Sequence, residues 1–435
     1  TLAQNATEEG AIVTIFSSDK DLMQLVSHDI KMYDPIRNIF IDIDKVREKF
    51  GVTPDKVIDV QALIGDRVDN IPGVPGVGIK TASNLISKFK NVENLLASYE
   101  EIDKERIFFK EPLLVGFSCE MANPGDCFMF QDLENINVLM IRDSEGKAHA
   151  LLNSSLEAGQ VSAGDLNKCG ENIQHLPCEE KYGMLYICLD KASAVNIDKH
   201  LADLTPWFKQ WDLADTQLIG EHVWDLKSNW KLALDTFCEG YHFDILHKDS
   251  VGDFSLGNIS QYKRFGSPQR HHRMTFPNKP MLDLRGTDDK DWGMEIQTHF
   301  QLVHFIYPNV SLLISPTAVE FFVLYPGKKV GEHITRYRSY WRGDINRASW
   351  SGGGAKENFD FIVYVVDKED YWVSANVQKS LNANRRKFST FGKNEPSLIN
   401  MHRNFLSAVG LDPDIKEAPD WEDLTGDKST GPVAA

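Results

Sequence analysis

The chain has 435 residues, 42% hydrophobic and 25% charged, which is long enough for two or three domains and ordinary for a globular protein. Its net charge is −16, with 18 acidic against 14 basic residues in Thr1–Lys110 and 45 against 33 in the rest; this excludes a general electrostatic footprint for nucleic acid, though not a local grip on phosphate through backbone amides. No apolar run approaches the ~18 residues of a membrane span, the start Thr1-Leu2-Ala3-Gln4-Asn5 has neither a basic nor an apolar leader region, and the six cysteines show no framework spacing, so a soluble, cytoplasmic protein with no membrane partner is expected.

The first hundred or so residues read as α/β, with a buried strand at Ala11–Phe16 and helical stretches at Pro54–Ile64 and Lys80–Phe89. The strand runs into Ser17-Ser18-Asp19-Lys20-Asp21, which puts Asp19 and Asp21 at the carboxyl end of a sheet strand, where open α/β folds place their chemistry. Asp66 and Asp69 sit three residues apart and share a face of a helical turn. Such oxygen-rich clusters hold Mg²⁺ and orient water for phosphodiester cleavage. Asn70–Ala82 follows, a glycine-rich hairpin opening a helix at Ile79, so that amides near Gly73, Gly76 and Gly78 can meet a phosphate while Lys80 adds a charge. The structural alternative is that Asp19 and Asp21 are turn residues and the glycines a tight connection.

Taken together, Phe16–Leu22, Ala62–Ala82 and the register between them resemble the 5′-nuclease domain of bacterial DNA polymerase I with its helix–hairpin–helix DNA grip. The resemblance implies a nuclease entered in mid-domain, because that family places further metal-binding carboxylates and a basic helical arch before the first position seen here. Asp19, Asp21, Asp66 and Asp69 are then a partial Mg²⁺ site. Little or no cleavage is expected, with weak binding to duplex DNA through Gly73, Gly76, Gly78 and Lys80.

After Glu105 the texture changes to antiparallel strands, among them Leu302–Tyr307, Ala318–Tyr325 and Glu332–Trp341, flanked by two long helices. Asn229–His247 reads as the first helix, with an apolar stripe Trp230, Leu234, Phe237, Tyr241 and Ile245 and with Asp235, Glu239 and His242 on an adjoining face. His247 follows His242 by five residues, which at ~100° per residue puts the rings about 140° apart; they can share a metal only where the helix ends or widens to a π-turn. Ile362–Leu381 reads as the second helix, and Asp370 falls in the middle of its stripe Ile362, Val366, Asp370, Val373, Val377, Leu381, with Asp367 and Glu369 off it. A carboxylate on an apolar stripe is costly to bury unless paired or metal-bound. Two histidines and an aspartate form the facial triad that leaves positions open on Fe(II) for O₂. The structural alternative is a solvated or core-satisfied histidine pair.

Asn229-Trp230-Lys231, Glu239-Gly240-Tyr241-His242, His247 and Glu369-Asp370 with Gln378, in this order, resemble the catalytic domain of Rieske ring-hydroxylating oxygenases. Phe109–Val115, Pro124-Gly125-Asp126, Ile141-Arg142-Asp143 and Leu151-Leu152-Asn153 resemble the start of the same α-subunit. The resemblance implies an antiparallel helix-grip fold, Fe(II) held by His242, His247 and Asp370, and Glu239 as the carboxylate linking the iron to a neighbouring subunit's cluster. It further implies a homotrimer, a small organic substrate with O₂, and electrons from a ferredoxin or reductase. The family's [2Fe–2S] centre needs Cys-x-His and Cys-x-x-His pairs, and this chain has neither. Ser154-Ser155-Leu156-Glu157 follows Asn153 where the first pair belongs, and the resemblance resumes at His175–Gly183. Cys169, His175 and Cys178 in the gap match no metal spacing and read as loop residues. The remaining histidines read as structural or surface; His299 and His304, beside Leu302–Tyr307, are positioned for a substrate pocket, but a core histidine is the preferred reading.

The expected architecture is α+β multidomain: a partial α/β 5′-nuclease with helix–hairpin–helix over 1–100, a remnant β Rieske domain over 105–190, a mononuclear iron catalytic domain over 191–420 and a tail over 421–435. The leading functional expectation is O₂-dependent hydroxylation impaired by loss of the cluster site. The alternatives are a DNA-binding 5′–3′ exonuclease fragment, or a fusion of two truncated genes without function.

Overall fold

The structure is a computed structural model that describes residues 2–66, 71–74, 77–92, 95, 105–133, 136–152, 174–257, 259–292, 299–349, 352–383, 391–392 and 394–410. Asp69, Gly76, Asn153–Glu157, Cys169 and the tail lie outside the described residues. Two compact units emerge, one built on Thr1–Asp103 and the other on Lys104–Phe405.

In the first unit, β1 (Val13–Phe16) pairs in parallel with β2 (Ile30–Asp34), and β3 (Ile39–Ile41) adds antiparallel to β2. β1 was expected to be buried, but it is the edge of this three-stranded sheet, and Phe16 is 72% exposed. An apolar run of this length is consistent with a central strand, and only the pairing order shows otherwise. The helix Ile43–Phe50 starts where the Asp42 side chain accepts from Lys45 N at 3.0 Å and stops at Gly51, whose φ of 73° suits glycine. Val46 and Phe50, one turn apart, turn into a core with Met32, Val57, Val60 and Ile86. Each such burial contributes about 1.5–3 kcal/mol.

Asp66, expected on a helical turn, is not helical: the preceding helix ends at Ile64, and Gly65–Asp66 pairs antiparallel with Ile71–Pro72 as a short strand. Gly73 packs so closely on the preceding helix that a Cβ there would lie 2.2 Å from the Ile64 carbonyl, leaving no room for a side chain. The helix Ile79–Phe89 then begins at Gly78 with no side chain capping its first amides, and Lys80 is exposed.

The second unit is organised by a seven-stranded antiparallel sheet. In sequence its strands are β4 (Gln217–Leu226), β5 (Gln261–Phe265), β6 (His271–Pro277), β7 (Phe300–Ile306), β8 (Val310–Ile314), β9 (Ala318–Pro326) and β10 (His333–Trp341). In space the order is β4-β10-β9-β8-β7-β6-β5. The three strands read from the sequence are β7, β9 and β10. β9 is buried on both faces, which is why it reads as a continuous apolar run rather than an alternation. A helix, Ala355–Val365, contacts β4, and another, Trp230–Asp235, contacts β9 and β10, so the sheet is gripped from its helical side.

Residues 113–187 add two small sheets of three and four strands. Buried charge fastens them to the large sheet. The Arg336 guanidinium donates to both carboxylate oxygens of Asp132, at 2.6–2.9 Å, and Arg338 donates to the Val115 carbonyl at 2.9 Å and pairs with Glu120 at 3.3 Å. Phe117 stacks between Phe321 and Tyr340 at the same junction. Among the described residues, no helix is long and apolar enough to cross a membrane.

Candidate metal centre

The segment carrying the two histidines opens as the sequence suggests. The Asn229 side chain caps the helix Trp230–Asp235 by accepting from Lys231 N at 2.9 Å, and Asn229 N donates to Gln378 Oε1 at 2.8 Å, tying this helix to the later one. The expected continuation of the helix to His247 is not observed. The helix ends at Asp235, and the chain proceeds through turns, with Phe243 N donating to the Gly240 carbonyl and Leu246 N to that of His242. Tyr241 and Ile245, assigned to the apolar stripe, are 46% and 79% exposed. Gly240 lies in this turn segment against the Phe276 ring, where a Cβ would sit 2.3 Å from the ring, so only glycine allows the approach. Freed from 100° steps, the two imidazoles face each other, with Nε2 to Nε2 at 3.1 Å.

The second helix is likewise interrupted. Ala355–Val365 and Tyr371–Asn382 are α-helical, and Val366–Asp370 between them is a π-turn. One extra residue per turn shifts the buried face, so that beyond the π-turn it continues through Tyr371, Ser374 and Gln378 while Val377 and Leu381 point to solvent. The wider turn also admits both carboxylates of Glu369-Asp370. Asp370 is buried with Oδ1 at 3.5 Å from His242 Nε2 and 3.2 Å from His247 Nε2. Glu369, which sequence reasoning placed off the stripe, accepts from His247 Nδ1 at 2.5 Å and from the Ser250 hydroxyl at 2.7 Å. Glu239 accepts in the same way from His242 Nδ1.

Each imidazole therefore donates from Nδ1 to a carboxylate, and both Nε2 atoms face one another and Asp370 Oδ1, which makes no well-formed hydrogen bond. Three electron-rich atoms in one small volume repel unless a proton or a metal ion lies between them. Burial disfavours a charged His242, but Asp370 and Glu239 outweigh it and hold its pKa up at about 9. Burial likewise opposes charge on Asp370, but the two histidines outweigh it and keep its pKa below the usual carboxylate value. His242, His247 and Asp370 are the group of three metal-ligating side chains found among the described residues, with ligand atoms within 4.8 Å of one another. Two imidazoles, one carboxylate and open positions are the donor set of a mononuclear Fe(II) site.

The site opens on a cavity of about 70 Å³ walled by Phe237, Phe243, Phe276, Val303 and Phe322. Inward-facing residues of successive strands make this wall, a pattern visible only once the pairing is known. His304 is a core histidine, in line with the preferred reading: it alternates to the other face of β7, where it is buried near Phe208 and burial depresses its pKa to about 3. His299 does not line this cavity.

The other expected sites fare differently. Asp19 accepts from Asp21 N at 2.9 Å as a turn cap, Asp21 accepts from Gln61 Nε2 at 2.5 Å, and the buried Asp66 forms an ion pair with Lys20. Among the described residues these carboxylates do not converge as a metal-binding group. A lysine adjacent to Asp19 supplies the compensating charge instead. His175 is exposed on Gln174–Leu176, 6.2 Å between ring centroids from His149, and the Cys178 thiol donates to the Ala148 carbonyl at 3.3 Å.

Residues 213–410 match the family described as ring hydroxylating alpha subunit (catalytic domain), and residues 52–112 match 5′-3′ exonuclease, C-terminal SAM fold. Two separate segments of the chain thus match two different family models. The N-terminal segment is 52% identical over 102 residues to a DNA polymerase I of Rhizobium leguminosarum and 44% identical over 104 residues to a 5′-3′ exonuclease of Aquifex aeolicus. These alignments cover 23% and 24% of this chain and only 10% and 36% of those relatives. The oxygenase-like part has the fold of a quaternary ammonium Rieske monooxygenase, CntA, in complex with L-carnitine, at TM-score 0.53 and 15% identity over 72% of this chain and 92% of that one. It also has the fold of a naphthalene 1,2-dioxygenase bound to phenanthrene, at TM-score 0.51 and 15% identity over 72% and 90%.

Proposed function

We propose that the second unit binds one Fe(II) through His242 Nε2, His247 Nε2 and Asp370 Oδ1 and is built for O₂-dependent hydroxylation of a small organic substrate. The observation that carries this is the convergence of three lone-pair donors whose other atoms are already committed to Glu239 and Glu369. A ferrous ion in such a site supplies the O₂-activating chemistry. The protein holds the ligands in one tautomer through Glu239 and Glu369, and lines the approach with apolar side chains that exclude water. The family resemblance further implies a homotrimer in which Glu239 links the iron to a neighbouring subunit.

The residues present do not fit a [2Fe–2S] cluster, because no Cys-x-His or Cys-x-x-His pair occurs anywhere in the chain. The protein therefore depends on another source of electrons, and coupled turnover with a ferredoxin or reductase alone is expected to fail. The test is anaerobic loading with ferrous iron, then assay of a substrate panel with each electron source. Failure of wild-type protein to bind ferrous iron more tightly than Asp370→Ala would overturn the reading.

A second reading concerns the first unit alone. The uncapped start of Ile79–Phe89, the close hairpin at Gly73 and the exposed Lys80 together favour weak duplex-DNA binding. Mg²⁺-dependent cleavage is not part of this reading, since Asp66 is already paired with Lys20.

A further inference from the structure

A second cavity of about 140 Å³ adjoins the one beside the metal ligands, and Gln301 and Leu313 line both. Strand register explains the adjacency. Val303 pairs with Leu313 across β7 and β8, and Leu313 with Glu320 across β8 and β9, so the three side chains form one row on one face of the sheet. With neighbouring strands ~4.8 Å apart, Glu320 stands roughly 10 Å along the row from Val303, which walls the metal chamber.

Glu320 is 2% exposed and lines the second cavity. Its Oε2 accepts from the Tyr337 hydroxyl at 2.6 Å and its Oε1 from Asn358 Nδ2 at 2.6 Å. These partners are neutral, as is the Ser339 hydroxyl that faces the carboxylate from the paired position on β10, and the two carboxylate oxygens together still keep an unused acceptor position. No ion pair to Glu320 occurs among the described residues, and burial raises its pKa, as it does for a carboxylate without a cation. Arg347 also lines the cavity, but it is exposed, and solvent screens its charge.

We propose that Glu320 is a recognition residue for a protonated primary or secondary amine on an elongated substrate whose apolar end occupies the metal chamber; this rests on the oxygenase reading of that chamber. The ammonium N–H groups meet the remaining acceptor positions of Glu320 and neutralise its buried charge. A quaternary ammonium has no N–H and forfeits those bonds.

The test is calorimetric binding of phenylbutylamine, phenylbutanol, phenylbutyrate and phenylbutyl-trimethylammonium to the full chain, with and without ferrous iron. Phenylbutylamine is expected to bind tenfold or more tighter than phenylbutanol, on the scale of a hydrogen bond to a charged group. Glu320→Gln should bring the two within about twofold. Should that variant melt too low to assay, Ala348→Trp, which narrows the second cavity without touching Glu320's partners, should weaken amine binding by a similar factor. Equal affinity of amine and alcohol for wild type, a preference unchanged in both variants, tightest binding of the quaternary compound, or tighter binding of phenylbutyrate that Arg347→Ala abolishes would each overturn the proposal. Because calorimetry reads binding and not turnover, missing hydroxylation beside intact amine selectivity would count against the oxygenase reading alone.

Discussion

Glu369→Ala is the substitution that most directly tests the π-turn. Glu369 touches no proposed iron position, yet its Oε2 takes the Nδ1 proton of His247 at 2.5 Å and that of the Ser250 hydroxyl at 2.7 Å. Removing it leaves the His247 ring free to turn or change tautomer, and withdraws a negative charge one ring away from the cation. Outer-shell partners of this kind are worth about 10–100-fold in metal affinity, or about 1.4–2.8 kcal/mol at tenfold per 1.4 kcal/mol. A charge-assisted hydrogen bond in a part-buried site falls in the same range. The assay is an anaerobic competition titration of ferrous iron against a chelator for wild type, Glu369→Ala and Asp367→Ala. Asp367 is the control, because it pairs with exposed Lys368 and not with either histidine. The expected order is wild type equal to Asp367→Ala, with Glu369→Ala weaker by at least tenfold. If the two variants behave alike, the π-turn does not deliver Glu369 to the site and the helix is regular there.

Purified protein loaded with iron should hold about one ferrous ion per chain and no acid-labile sulfide, since the triad is present and the cluster pairs are missing; two equivalents of sulfide with cluster absorbance would refute this. Flap or nicked DNA with Mg²⁺ should remain uncut, and strong cleavage that disappears in Asp66→Ala would show that the Lys20 pairing gives way to metal. Gel-shift or anisotropy titrations should find weak, salt-sensitive duplex binding that falls in Lys80→Ala; equal affinity in both proteins removes the hairpin from the interface. NADH with reductase should give no product from aromatic or amine substrates, whereas hydrogen peroxide, which brings oxygen and electrons together, should give slow product; NADH-coupled turnover without an added Rieske protein would reveal an unrecognised electron route.

Local chemistry in the chain was enough to announce the two segments, the strands around Leu302–Trp341, the hairpin glycines and the three ligand types. Those features depend on residues close in sequence: a glycine where backbones touch, an apolar run where a strand is buried, a carboxylate where none belongs. What the ligands do to one another depended on packing. A regular helix cannot bring His242 and His247 together; the chain leaves the helix at Asp235 and runs through turns in which Gly240 packs on the Phe276 ring, a neighbour 36 residues away. Glu369 looked like a solvent-facing acid at 3.6 residues per turn, and the π-turn carried it inward. Asp66 looked like a residue of a helical turn, but folding put it on a short strand and against Lys20. Periodicity records what each residue prefers under a regular backbone, whereas these positions were decided by long-range contacts strong enough to break that regularity.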